Sequence, residues 1–208
     1  MKDDGKLGYK GTVTPLQKVM LARRSMRRYQ EGGVSPEHVS HLLSVSDGFC
    51  KKLGLGGVRM RIFAEKADRD RIIRASVSNI LGKTNPWLAL TKAQAVIVPS
   101  TVIGEAPTEG DRRFAVAHAA MAMEAVVLAA TGLGLGTVWL AAINHNGIER
   151  ELGLPAGEEV FVISLLGMPV KEISLLSWDG LTYHMFSKRR KPLSEILFNG
   201  GIDNAYSR

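Results

Sequence analysis

Between Arg113 and Asn144 lie thirty residues that carry one carboxylate, Glu124, one imidazole, His118, and no Lys or Arg. The first part, from Phe114, reads as a helix apolar on every side. Water cannot solvate such a helix, so it needs a large core, a subunit interface or a membrane around it. About 20 apolar residues are enough to span a bilayer, which puts the membrane reading first in line. Eight alanines from Ala115 to Ala130, with Glu124 near the middle, weaken it, because alanine gives low hydropathy and a carboxylate is costly in lipid. The run then meets Gly132-Leu133-Gly134-Leu135-Gly136-Thr137, whose glycines supply the left-handed geometry that stops a helix. Alanine-rich faces let helices approach closely. The segment is therefore expected to pair with its symmetry mate in a homodimer and not to enter a membrane.

A chain of 208 residues can bury a sizeable core. With no repeat, low-complexity tract or long linker, it is expected to form a single domain over residues 1–208. No hydrophobic signal-like run opens it, and the one cysteine, Cys50, leaves no intrachain disulfide or cysteine-cluster metal site. A cytoplasmic setting is the expectation. The net charge of +7 at pH 7 predicts attraction to polyanions or anionic small molecules. That charge is concentrated in Arg23, Arg24, Arg27 and Arg28, and again in Lys188, Arg189, Arg190 and Lys191. A nucleic-acid binder would interleave such clusters with exposed aromatics or carry a recognition motif. Neither is visible, so no nucleic-acid partner is expected and that class stays as a weaker alternative.

Thr14-Pro15 reads as an N-cap and first helical position, opening a helix with Leu16, Val19 and Met20 inward. If the helix continues, Arg23 and Arg27 extend that inward stripe and call for an anion. Otherwise they sit in a last turn and face solvent. Ser35-Pro36 opens a second helix with Val39, Leu42 and Leu43 inward and Gly48 beyond its end. Val58 to Phe63 alternates like a half-exposed strand. A helix is expected from about Asp68 to Leu81, and Ala93 to Val98 reads as a strand buried on both faces. Asp111 is a cap candidate for the long helix. Ile148 to Leu152 is a short helix closed by Gly153 and Pro155, and Val160 to Leu166 is another buried strand. The order is helix, helix, strand, helix, strand, long helix, strand, short helix, strand, tail, an α+β or α/β three-layer pattern.

Most other chemistry is poorly supported. Gly132, Gly134 and Gly136 follow a helix instead of opening one, which fails the dinucleotide-binding context. His38 and His41 lack a carboxylate-rich ligand set, so surface histidines are the better reading than a metal site. His118 reads as a core histidine, Ser25 has no recognisable His and Asp partners, and Cys50 reads as an inert, partly buried thiol despite its lysine neighbours.

The blocks Arg23-Arg24-Ser25-Met26-Arg27, GLGLGTVWLAAI from Gly132 to Ile143, GIERELGLPAGEEVFVISLLGMP from Gly147 to Pro169, and Lys188-Arg189-Arg190-Lys191-Pro192-Leu193 together resemble the FMN-dependent nitroreductase family. Each is weak alone, but four in the correct order are fairly specific. The resemblance implies an α+β fold, three-layer α/β/α, with a central mostly antiparallel sheet and a long buried dimer-interface helix. It also implies a C-terminal tail, about 171–208, packed on the dimer partner.

In that reading Arg23, Arg24 and Ser25 hold the FMN phosphate and ribitol, with Lys188 and Arg190 of the tail assisting, because the guanidinium fork suits phosphate geometry. Arg27 lies near the pyrimidine edge of the flavin. The backbone of Trp139, Leu140, Ala141 and Ala142 meets flavin N5 and O4. Hydride comes from NADH or NADPH and passes to a small oxidant such as a nitroaromatic or quinone, and no side chain is named as catalytic. One departure stands out. The family's Asn-x-Gln-Pro-Trp-like segment before the first strand is replaced here by Ser46 to Gly57, with no Asn, Gln or Trp. A flavin sensor or storage protein with little turnover is therefore the alternative.

Overall fold

The structure, a computed structural model, describes residues 13–79, 92–104 and 106–170. Its helices start where polar side chains can satisfy the free amides of a first turn. Thr14, Ser35 and Thr108 each accept from the amide three residues on, and Gln17, His38 and Asp111 return the bond to the cap amide. These three capping boxes open α1 (Pro15–Ala22), α2 (Pro36–Leu53) and α4 (Glu109–Gly132). Asp111 is thus the third helical residue of α4 and not its cap. His38 spends its ring Nδ1 accepting from the Ser35 amide at 3.2 Å, which gives it a structural role.

Between and after these lie β1 (Val58–Phe63), α3 (Lys66–Ser76), β2 (Ala95–Val102), β3 (Gly136–Leu140), α5 (His145–Leu152), β4 (Glu158–Glu159) and β5 (Ile163–Gly167). The order is the one expected, with the short β4 added. The sheet runs β1-β2-β5-β3, with β4 beside β2, and every pairing between these strands is antiparallel. Alternation along β2 sorts its side chains into two cores. Val96 and Val98 join Val138, Leu140, Ile163 and Leu165 under Ile72 of α3 and Ile148 of α5. Ala95 and Ile97 join Leu166 under Leu42 of α2 and Met123, Val126, Val127 and Ala130 of α4. This is the three-layer α/β/α arrangement that the resemblance implied.

Several boundaries differ from the sequence expectation. Gly48 lies inside α2, which runs on to a left-handed cap at Gly54, φ 68°. The Lys51 and Asp47 side chains pair at 2.7 Å across that turn, and glycine is tolerated in a helix at a cost of about 1 kcal/mol. The third helix stops at Ser76, five residues short of Leu81, because the Ser76 carbonyl is taken by the Asn144 amide at 2.9 Å. β5 starts at Ile163, later than Val160, since the Val160 amide is diverted to Glu149 Oε1 at 2.9 Å. β2 is longer than expected and includes Pro99. That residue faces Met60 of β1 and falls between the β5 and β4 pairings on the other side, a place where a missing N–H is tolerated.

The long helix divides its surface between the chain's own core and solvent. By length and composition it could cross a bilayer, yet seven of its residues, Ala115, Ala119, Ala122, Met123, Val126, Val127 and Ala130, are buried within the chain. Burying a side chain such as Met123 or Val126 contributes about 1.5–3 kcal/mol relative to leaving it in water. The opposite face stays uncovered, with Phe114 70% and Met121 43% exposed. The apolar side of α1 is not inward either: Leu16 is 63%, Met20 55% and Leu21 69% exposed. The chain divides into two units, Met1–Val170 and Lys171–Arg208. The second, with the expected tail contacts, lies outside the described residues.

Candidate functional site

Helix α1 ends at Ala22, one residue before the first arginine of the cluster. Arg23 is its C-cap, in an extended conformation, with its amide donating to the Val19 carbonyl at 3.0 Å. Arg23 and Arg27 therefore do not prolong the helical stripe, nor do they sit in its last turn. The chain instead leaves the helix and docks on the start of β3. Ser25 pairs with Thr137 in a parallel bridge, and the Met26 amide donates to the Thr137 carbonyl at 2.7 Å. It then crosses to the exit of β5, where Tyr29 pairs with Pro169 and the Gln30 amide reaches the Met168 carbonyl at 3.0 Å.

Close approach makes this docking tight. A side chain at Gly136 would meet Met26 Cβ at 2.9 Å and Pro169 Cβ at 3.0 Å, so glycine is what allows the two segments to touch. The Gln94 side chain clamps the same region, donating from Nε2 to the Gln30 and Lys92 carbonyls and accepting the Met168 amide at Oε1, each at 2.7 Å. Tyr29 is buried, donates its hydroxyl to the Met26 carbonyl at 2.6 Å, and is kept protonated by burial, against the smaller opposing pull of Arg27. These fastenings leave Arg24, Ser25, Arg27 and Arg28 at the surface. Gln94 and Tyr29 escaped sequence reading because their partners are distant in the chain.

At the far end of β3, Leu140 is buried while Ala141 and Ala142 are exposed, before Asn144 caps α5. Four residue steps lead from Thr137 to Ala141, about 13 Å of extended chain. A ligand touching both ends must be elongated, with its anionic part toward the arginines. The donors on this side are unspent. Arg23 Nε, Thr137 Oγ1 and Trp139 Nε1 are buried and have no hydrogen-bond partner among the described residues, an arrangement that costs stability unless an acceptor arrives. Thr137 and Trp139 share one face of β3, the face that packs toward α4, where Trp139 meets the core and Arg23 Nε lies 3.6 Å from Glu124 Oε1. The donor set, guanidinium, hydroxyl and indole N–H beside exposed backbone, fits a phosphate-bearing flavin and gives a metal ion no ligands.

The structure thus docks the segment of Arg23, Arg24, Ser25 and Arg27 at the start of β3, with Trp139 and Leu140 in that strand and Ala141 and Ala142 just past its end. Lys188 and Arg190 lie outside the described residues. The remaining candidates stay apart from it. No group of His, Cys, Asp or Glu suited to a metal occurs among the described residues. His118 lies one turn from Phe114, ring centroids 6.3 Å apart. Burial pushes the Cys50 thiol up, with Asp47 adding to the shift against a Ser46 hydrogen bond, so its lysine neighbours do not activate it.

A model of the Nitroreductase family matches residues 20–168, more than half of the chain. No match is found among curated proteins. Solved structures with this fold include a nitroreductase family protein from Clostridium difficile 630 (TM-score 0.65, 22% identity, 89% of this chain and 98% of that one). A Bacteroides thetaiotaomicron VPI-5482 protein described as an NADH dehydrogenase/NAD(P)H nitroreductase superposes with TM-score 0.65 at 17% identity, over 91% of this chain and all of that one (100%). An FMN-dependent nitroreductase from Clostridium difficile R20291 gives TM-score 0.59 at 20% identity, covering 86% and 96%.

Proposed function

Because the chain belongs to the nitroreductase family, we propose that it binds FMN and acts as a cytoplasmic, homodimeric oxidoreductase, using NADH or NADPH to reduce a small oxidant such as a nitroaromatic or quinone. FMN, when bound, supplies a centre that takes up and returns a hydride. What supports the reading is one juxtaposition: an exposed arginine cluster fixed to the start of β3, exposed Ala141 and Ala142 at its end, and unpaired buried donors between.

Arg23, Arg24 and Ser25 would bind the phosphate and ribitol by charge-assisted contacts. Arg27 would place positive charge where electron uptake builds negative charge. The backbone from Trp139 to Ala142 would orient the ring, small side chains at 141 and 142 permitting close approach. No side chain has to act as nucleophile. The exposed Phe114 and Met121 of α4 favour a second copy as the partner, since a helix apolar on both faces needs covering on both.

The test is flavin binding and reduction by the full-length protein. FMN should bind more tightly than riboflavin, and replacing Arg23 with Ala should weaken FMN far more than riboflavin. Mixed anaerobically with NADH or NADPH, the FMN complex should bleach. Equal binding of both flavins would remove the phosphate assignment. Bleaching by dithionite but by neither nicotinamide would favour the sensor or storage reading. That second reading has its own support: Ser46 to Leu53, where the family has its Asn/Gln segment, is wound into α2.

A further inference from the structure

Glu124 is the only charged residue from Phe114 to Ile143, and neither helix formation nor core packing accounts for it. Its Oε1 lies 3.6 Å from Arg23 Nε. The two side chains are 41% and 26% exposed, yet the Nε atom itself is sealed from solvent and makes no hydrogen bond. Arg23 is fixed at its backbone by the bond to Val19 and by the docking of Ser25 two residues on. Among the described residues its long side chain pairs with Glu124. We propose that Glu124 is a positioning residue for Arg23, facing the Nε edge of the guanidinium so that the Nη edge is offered to the phosphate of the ligand.

The inference rests on the proposed function. Two effects oppose one another when Glu124 loses its charge. Removing a carboxylate near the site favours an anion, but solvent screens a pair this exposed. Freeing an arginine to sample many rotamers costs affinity each time it must be ordered again. The second effect is the larger here, because bidentate recognition of a phosphate depends on where the planar fork points.

Dissociation constants for FMN and riboflavin, read by flavin fluorescence on the full-length protein, test this without any turnover. Glu124→Gln is expected to weaken FMN roughly fivefold and leave riboflavin unchanged. In an Arg23→Ala background the same substitution should change neither. Glu124→Asp keeps the charge and withdraws the carboxylate by one methylene, so it should show the same loss, and it serves if the Gln variant does not fold. Unchanged or tighter FMN binding in these variants, or an equal loss with and without Arg23, overturns the proposal. A wild-type protein that binds both flavins equally overturns the phosphate reading beneath it, which a wild-type preference for FMN retained in both variants does not.

Discussion

Met26 and Gly136 touch: a Cβ built on the glycine would stand 2.9 Å from Met26 Cβ, and the Met26 amide bonds the carbonyl of the next residue, Thr137. The arginine cluster is held against β3 through this contact. Gly136→Ala should force the segment off the strand, because Cβ of Met26 and Cβ of Pro169 are not free to swing aside. The expected loss is about 1–3 kcal/mol of stability, with weaker FMN binding than the stability loss alone explains. Urea denaturation and flavin titration at a temperature well below the melt separate the two.

A second prediction concerns Glu158, whose side chain is fully buried between Arg59 at 2.8 Å and Arg61 at 3.0 Å, with the Ser100 hydroxyl donating to it. Burial pushes its carboxyl up, but Ser100, Arg61 and Arg59 together hold it below the usual range. A folded-state value below the unfolded one means the contribution to stability is present above the ordinary carboxylate range, near pH 4.3, and is lost as pH falls through the folded value. Glu158→Gln should cost about 2 kcal/mol at pH 7. Its urea midpoint should then fall less than the wild type's between pH 6 and acid conditions, and a parallel fall would refute the assignment.

Neighbouring positions on α4 should behave in opposite ways. Met121 lies on the uncovered face and Ala122 is fully buried within its own chain. Met121→Arg is expected to give a folded monomer by sedimentation with an unchanged circular dichroism spectrum. Ala122→Arg is expected to fail to fold, since a charge with no partner enters the core. A soluble wild-type monomer would remove the dimer from the proposed function.

Arg27→Ala should lower the reduction potential of bound FMN. Loss of a charged hydrogen bond worth about 1.5–3 kcal/mol corresponds to roughly 30–60 mV for a two-electron couple. Spectroelectrochemical titration reads the shift, and a potential unchanged within a few millivolts would place Arg27 elsewhere.

The order of elements was legible because most rest on local signals: capping residues at Thr14 and Ser35, the glycine cap at Gly153, alternation along β1 and the continuous apolar run of β2. The caps at Thr108 and Gly54 were missed in favour of Asp111 and Gly48. Boundaries failed where a distant partner intervened, as when Asn144 ends α3 at Ser76 or Glu149 captures the Val160 amide. Of the site, the arginines and the strand from Trp139 were readable as motifs. Their meeting was not, since the Ser25 and Thr137 pairing, the Gln94 clamp and the Tyr29 anchor all join residues far apart in sequence. An apolar pattern on every side of α4 could not show which side the chain covers itself: Ala122 and Met123 are buried on the side that meets the sheet and α2.

The seating of residues 25–30 across β3 and the exit of β5 also dictates a timetable. The arginines are synthesised before every described strand, whereas Pro169, against which Tyr29 is set, comes after them all. Non-local pairings of this kind form late, after the loop between them has been closed at an entropic cost. A nascent chain therefore carries its arginine segment undocked throughout the synthesis of its sheet and seats it on β3 only when β5 has been laid down.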